Sequence, residues 1–134
     1  MTVKALVIGF GSIGRRHAEV LDSMDEISQV FVLSSQESLP FDSITSLPEI
    51  PALSPDYVVI ASSTAAHFEH LMFLERNLSG KKILVEKPLF ESFHDFPIRQ
   101  NQVFIGYNLR FNPILQKLKD AVTGRRLWNI QATC

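Results

Sequence analysis

The stretch that most constrains this chain lies near its start. Val3–Ile8 is a short apolar run rich in β-branched residues, and it breaks off at Gly9-Phe10-Gly11-Ser12-Ile13-Gly14. An apolar run of this kind bounded by glycine reads as a buried strand. From Ile13 the apolar period changes, with Ile13, Val20, Leu21 and Met24 on one helical face. A strand that passes through G-x-G-x-x-G into a helix has few geometries available. Gly9 permits the tight turn, Gly11 leaves bare backbone for a close approach by pyrophosphate, and Gly14 lets the helix pack close to the strand. The helix start then offers free N–H groups and a partial positive charge to an anion. The competing reading is a glycine-rich strand–helix turn with no ligand.

The remaining pattern continues the alternation of strand and helix. Further strands are expected at Gln29–Leu33, Asp56–Ser63, Lys82–Glu86 and Gln102–Tyr107. Ser34–Pro55 is rich in Ser and Pro, and only a short edge strand or a brief helix near Ser43–Leu47 is expected there. A helix starts at Ser63 or Thr64, with Phe68, Leu71, Met72 and Glu75 at helical intervals, and ends between Asn77 and Gly80. Asn112-Pro113 opens another helix with a cap and a proline at the first helical position, and Ile114, Leu115, Leu118, Ala121 and Val122 form its apolar face. Gly124 stops it, and Leu127–Thr133 reads as one more strand. The best strands are apolar on both faces. The fold class is therefore α/β, a doubly wound, mostly parallel sheet covered by helices.

With 134 residues the chain suits one domain that needs no disulfide or metal staple. A net charge of −1 favours neither nucleic acid nor an anionic membrane as partner. The first apolar run is too short for a signal peptide, and no window approaches the roughly 18 apolar residues of a membrane span. The one thiol, Cys134, makes no intrachain disulfide, and a reducing cytoplasm is its simplest home.

In a parallel sheet the C-terminal strand ends share one edge, where ligands bind. Gly9–Gly11, Ser34-Ser35, Ser62–Thr64, Glu86-Lys87 and Tyr107-Asn108 all fall at such ends. Ser62, Ser63 and Thr64 are either ligand contacts or helix caps, and Tyr107 and Asn108 either contacts or turn residues. The glycine fingerprint expects an acid about 20 residues on, to hold a ribose 2′-hydroxyl. Ser34 stands there instead, followed by Ser35, with Glu37 displaced. A 2′-phosphate would need a cation, from Arg15 or Arg16, since no Lys or Arg occurs between Arg16 and Arg76. NAD and NADP both stay open. His67 and His70 share a helical face, but no further ligands join them and no metal site is expected. Lys87 is either a solvated lysine or a group that donates to a substrate hydroxyl or takes part in proton transfer.

The motifs "GFGSIGRRH", "VVIASSTAAHFEH", "ILVEKPL" and "IGYNLRFNP" occur in the order, and near the spacing, of the Gfo/Idh/MocA oxidoreductases, which this chain resembles from Val3 to about Thr133. The Glu-Lys-Pro element followed by "NLRFNP" is the more specific part. The resemblance implies an N-terminal Rossmann domain that binds NAD or NADP, here residues 1–123. Residues 124–134 resemble the first strand of a second, α/β substrate domain, which in the family supplies most of the substrate pocket, a catalytic histidine and often an oligomer interface. An isolated cofactor-binding domain is therefore expected, either a natural short protein or a cut chain. The resemblance makes Lys87 the catalytic candidate beside nicotinamide and substrate, and implies a cis Lys87-Pro88 bond. Cofactor contacts are expected from Gly9, Phe10, Gly11, Ser12, Ile13, Gly14, Ser34, Ser35, Ser62, Ser63, Thr64, His67, Glu86, Lys87, Asn108 and Arg110. Two departures stand out: Ser62-Ser63 replaces a proline common in the family, and the segment from Pro88 to Val103 is short for the helix usually found there. The implied activity is hydride transfer between the nicotinamide and a sugar-like or polyol substrate, with the proton acceptor outside this chain. A non-catalytic NAD(P) sensor or scaffold is the alternative. An adenosyl-cofactor methyltransferase is a weaker one, which the Glu-Lys-Pro tip argues against.

Overall fold

A computed structural model describes residues 2–124. Its elements are β1 (Val3–Ile8), α1 (Ser12–Asp22), β2 (Ile27–Leu33), β3 (Asp42–Ile44), a 3₁₀ turn at Leu47–Glu49, α2 (Ile50–Leu53), β4 (Tyr57–Ile60), α3 (Thr64–Asn77), β5 (Lys82–Val85), β6 (Gln102–Ile105), a second 3₁₀ turn at Asn108–Phe111, and α4 (Pro113–Val122). The strands form one six-stranded sheet in the order β3-β2-β1-β4-β5-β6, and every neighbouring pair is parallel. Strand order reverses between β1 and β4, so the ligand crevice of a doubly wound sheet belongs at their C-terminal ends. The strand expected at Leu127–Thr133 lies outside the described residues.

Residue alternation along β1 divides the core. Leu6 and Ile8 face one side with Val58, Ile60, Ile83, Val85 and, from α3, Leu71 and Leu74. Ala5 and Val7 face the other with Val30, Val32, Val59 and, from α1, Ala18 and Leu21. β1 is fully buried from Ala5 to Ile8, as a central strand covered on both faces must be.

Several expectations need correction. The buried face of α1 is Gly14, Ala18 and Leu21, whereas Ile13, Val20 and Met24 are exposed. Small residues win because α1 lies close over the glycine turn. On α3 the inner face is His67, Leu71, Leu74 and Glu75, so Leu71 and Glu75 lie inside as the periodicity has them, while His67 and Leu74 are buried in place of Phe68 and Met72. The expected strand at Asp56–Ser63 is shorter, because Ser62 has its carbonyl taken by a histidine ring instead of a neighbouring strand. β6 ends at Ile105, where the Tyr107 N–H turns back onto the Ile105 carbonyl. In the region left open, both alternatives occur: an edge strand at Asp42–Ile44, then helical turns. The Asn112 cap forms as expected, its Oδ1 accepting from the Ile114 and Leu115 amides. The apolar face of α4, however, is exposed at Ile114, Leu115 and Leu118.

No helix forms between Pro88 and β6. The segment is held by side chains: Phe68 meets Phe90 and Phe96 edge-on and stacks on His94 at 3.9 Å. Its far end is fastened by buried Glu75, whose Oε1 accepts from the Arg99 and Gln100 amides and whose Oε2 accepts from Asn101 Nδ2. Burial alone would raise the Glu75 pKa, but those amides outweigh it and hold the carboxyl below its ordinary value. Asn101 also donates to the Leu78 carbonyl and accepts from the Lys81 amide, which joins the end of α3 to the starts of β5 and β6.

Candidate active site

The β1–α1 turn has the form its glycines require. Gly9 has φ +94°, and a Cβ there would lie 2.7 Å from the Ser62 backbone. A Cβ on Gly14 would collide with the Gly9 carbonyl. Gly11 differs, because nothing lies within 4 Å of where its Cβ would be. Gly11 is also the N-cap of α1, so the free amides of the first turn lie next to open space.

That space is the floor of a cleft of about 490 Å³ lined by Gly9, Phe10, Gly11, Ser12, Ile13, Ser34, Ser35, Gln36, Ser62, Ser63 and His70, among others. Three strand ends build it. At the end of β2, Ser34 is buried and its Oγ accepts from the Gln36 amide at 3.1 Å. Gln36 in turn donates through Nε2 to the Phe10 carbonyl at 3.0 Å, which ties the β2 end to the glycine turn. Arg15 lies over the Phe10 ring, 5.1 Å from its centroid. At the end of β4, Ser62 Oγ and His70 Nδ1 are 2.9 Å apart. Burial lowers the His70 pKa, with a smaller upward pull from Glu69 and a smaller downward push from His67. Ser63 is the N-cap of α3 by position, yet its side chain makes no capping bond and faces the cleft instead.

A second cavity, of about 560 Å³, opens on the α1 side of β5 and β6 and is lined by Ile13, Arg16, His17, Glu86, Tyr107, Asn108 and Arg110, among others. Ile13 lines both cavities, so together they follow the sheet edge from β2 to β6. Glu86 Oε1 is 2.7 Å from His17 Nε2, and Glu86 Oε2 accepts from the Lys87 amide at 3.3 Å. The Lys87-Pro88 bond is cis.

The expected contacts therefore separate into groups. Gly9, Phe10, Gly11, Ser12, Ile13, Ser34, Ser35, Ser62 and Ser63 line the first cleft, while Glu86, Asn108 and Arg110 line the second cavity. Gly14, Thr64, His67 and Lys87 line neither. Lys87 is exposed at the β5 end. His67 is buried, with Nδ1 at 3.1 Å from the Pro88 carbonyl and 3.2 Å from that of Leu89, and Nε2 at 3.1 Å from the Ser62 carbonyl. It braces the loops after β4 and β5. Sequence reading missed His17, Gln36 and His70. His17 lies three positions after Gly14, on the face of α1 that turns toward Glu86, and an acid at a strand end was the available signal. Among the described residues no cluster of His, Cys, Asp and Glu could hold a metal ion.

The residues fit a dinucleotide. The space over Gly11 admits a pyrophosphate, the amides of α1 face it, and the cleft on either side is walled by hydroxyls and apolar carbon. Comparison with solved structures agrees on the fold. Scyllo-inositol dehydrogenase from Lactobacillus casei, solved with bound NAD(H) and scyllo-inositol, superposes with a TM-score of 0.71 at 17% identity, covering 91% of this chain and 41% of that one. Myo-inositol 2-dehydrogenase from Lactobacillus plantarum gives 0.70 at 20% identity, with 91% and 41% covered. UDP-N-acetylglucosamine 3-dehydrogenase from Acidithiobacillus ferrooxidans gives 0.66 at 22%, with 90% and 43% covered. The chain thus spans about 40% of the length of these structures. Among curated proteins, none matches the chain significantly. The profile of the GFO_IDH_MocA family, described as an oxidoreductase family with an NAD-binding Rossmann fold, matches residues 3–97. Since that match takes in most of the sequence, the chain belongs to this oxidoreductase family.

Proposed function

We propose that residues 1–123 are the cofactor domain of an NAD(P)-dependent dehydrogenase acting on a sugar-like or polyol alcohol, with residues 124–134 opening its substrate domain. The observation that carries this reading is the cleft over Gly11, open space bordered by helix amides and by the ends of β1, β2 and β4. When bound there, the nicotinamide supplies the hydride chemistry. The chain's own residues hold and orient. Gly11 and the first turn of α1 take the pyrophosphate, and Ser34 and Ser35 take the adenosine ribose. Lys87 directs its ammonium toward a substrate oxygen, and Glu86, paired with His17, fixes the Lys87 amide. The catalytic proton acceptor and any oligomer interface belong to the substrate domain. A reducing cytoplasm suits the single thiol, and among the described residues no helix is long and apolar enough to cross a membrane.

Fluorescence titration of this chain with NADH and NADPH tests the reading. Binding of at least one is expected, with Lys87→Ala changing that affinity less than about threefold. In a protein carrying the substrate domain, the same variant should lower turnover by roughly 10²–10³, the usual share of a positioned donor to a reacting oxygen. Failure to bind either dinucleotide refutes the cofactor assignment, and unchanged turnover refutes the role of Lys87.

A further inference from the structure

We propose that the β2 end selects the 2′-phosphorylated dinucleotide, with Arg15 as the cation that meets the phosphate. This inference rests on the cofactor reading above. A domain of this fold holds a free ribose 2′-hydroxyl with a carboxylate at the β2 end, and accommodates a 2′-phosphate with a nearby arginine. Among the described residues no Asp or Glu lines the cleft. Glu37, the nearest acid in sequence, lies outside its wall, and Asp42 is engaged by Gln29 Nε2 at 2.7 Å. Ser34 Oγ already accepts from the Gln36 amide and keeps its O–H proton to give, and the exposed Ser35 adds a second hydroxyl. Donors suit a phosphate dianion better than a hydroxyl seeking an acceptor.

The geometry also chooses between the two candidate arginines. Arg16 lines the cavity at β5 and β6, on the other side of Ile13. Arg15 lies over the Phe10 ring, and the Phe10 backbone carbonyl accepts from Gln36, so the guanidinium and the serine-bearing turn meet the same residue. Arg15 is exposed and forms no ion pair among the described residues, which leaves its N–H groups available. Stacking on an aromatic face fixes a guanidinium plane while its edge stays free to donate.

Titration of the full chain with NADPH and NADH, for wild type and Arg15→Ala, decides the matter. A charge-assisted bond to phosphate is worth about tenfold or more in affinity. NADPH should bind at least about tenfold tighter than NADH. Arg15→Ala should remove most of that difference while changing NADH affinity less than about threefold, so NADH binding also reports an intact fold. Adenosine 2′-monophosphate should compete better than the 5′-isomer in wild type only. NADH binding as tightly as NADPH, or an equal loss of both in the variant, overturns this proposal and leaves the cofactor reading intact. Binding of neither overturns both.

Discussion

Glu75→Gln should destabilise the domain by about 1–3 kcal/mol at neutral pH, the cost of leaving a buried polar group without its partner. The side chain stays almost the same size, so the loss comes from hydrogen bonding. The wild-type carboxylate accepts from the Arg99 and Gln100 amides on one oxygen and from Asn101 Nδ2 on the other. A glutamine oxygen can keep the first set, but its amide nitrogen then meets the Asn101 nitrogen, donor against donor. Asn101 cannot turn over to relieve this, because its Oδ1 holds the Lys81 amide at 3.0 Å and its Nδ2 holds the Leu78 carbonyl at 3.0 Å. Protonation of Glu75 in the wild type does the same damage. Its folded pKa lies below the ordinary 4.5, so its contribution is complete above that value and disappears as pH falls through the folded one. Urea unfolding of both proteins at a series of pH values measures the gap. The two stabilities should differ at pH 7 and converge at acid pH. A gap under about 0.5 kcal/mol at pH 7, or one that persists unchanged in acid, would refute the reasoning.

Gly11→Ala adds a methyl group to open space, so stability should change by less than about 1 kcal/mol, the scale of a cap substitution, while dinucleotide affinity falls at least about tenfold. Undiminished NADH and NADPH affinity would count against pyrophosphate at this turn. His70 is held below its ordinary value of 6.5 mainly by burial, so the unfolded chain takes up a proton that the folded chain refuses. Stability contributed by the neutral ring is present above that value and is lost as pH falls below it. His70→Asn should therefore flatten the decline in unfolding midpoint as pH falls below the ordinary value of 6.5, and an identical slope in both proteins would exclude burial of His70 as its source.

The glycine turn, the parallel sheet and the Glu-Lys-Pro strand end were legible because each depends on local chemistry: backbone freedom at Gly9, β-branched runs, a proline at a fixed place. The faces of α1 and α3 were legible only in part, at Leu21, Leu71 and Glu75. Periodicity ranks side chains by hydrophobicity, whereas α1 packs through Gly14 and Ala18 because close approach matters more there than apolar area. On α3, Glu75 and His67 are buried because their partners, the amides near Asn101 and the carbonyls of Ser62, Pro88 and Leu89, come from elsewhere in the chain. No window around either residue contains that information. The same holds for His17 and Glu86, and for the choice between Arg15 and Arg16, which are adjacent in sequence and serve different cavities.

The His67 ring has a mechanical consequence. One nitrogen lies 3.1 Å from the Ser62 carbonyl and the other 3.1 and 3.2 Å from those of Pro88 and Leu89, so the ring donates its N–H to one of the loops leaving β4 and β5 and packs against the other. Ser62 walls the first cleft and Lys87 immediately precedes Pro88, so neither can shift far without disturbing the seat of one buried side chain. The two loops lean on one buried ring, so a push on Ser62 would be felt at the segment that carries Lys87.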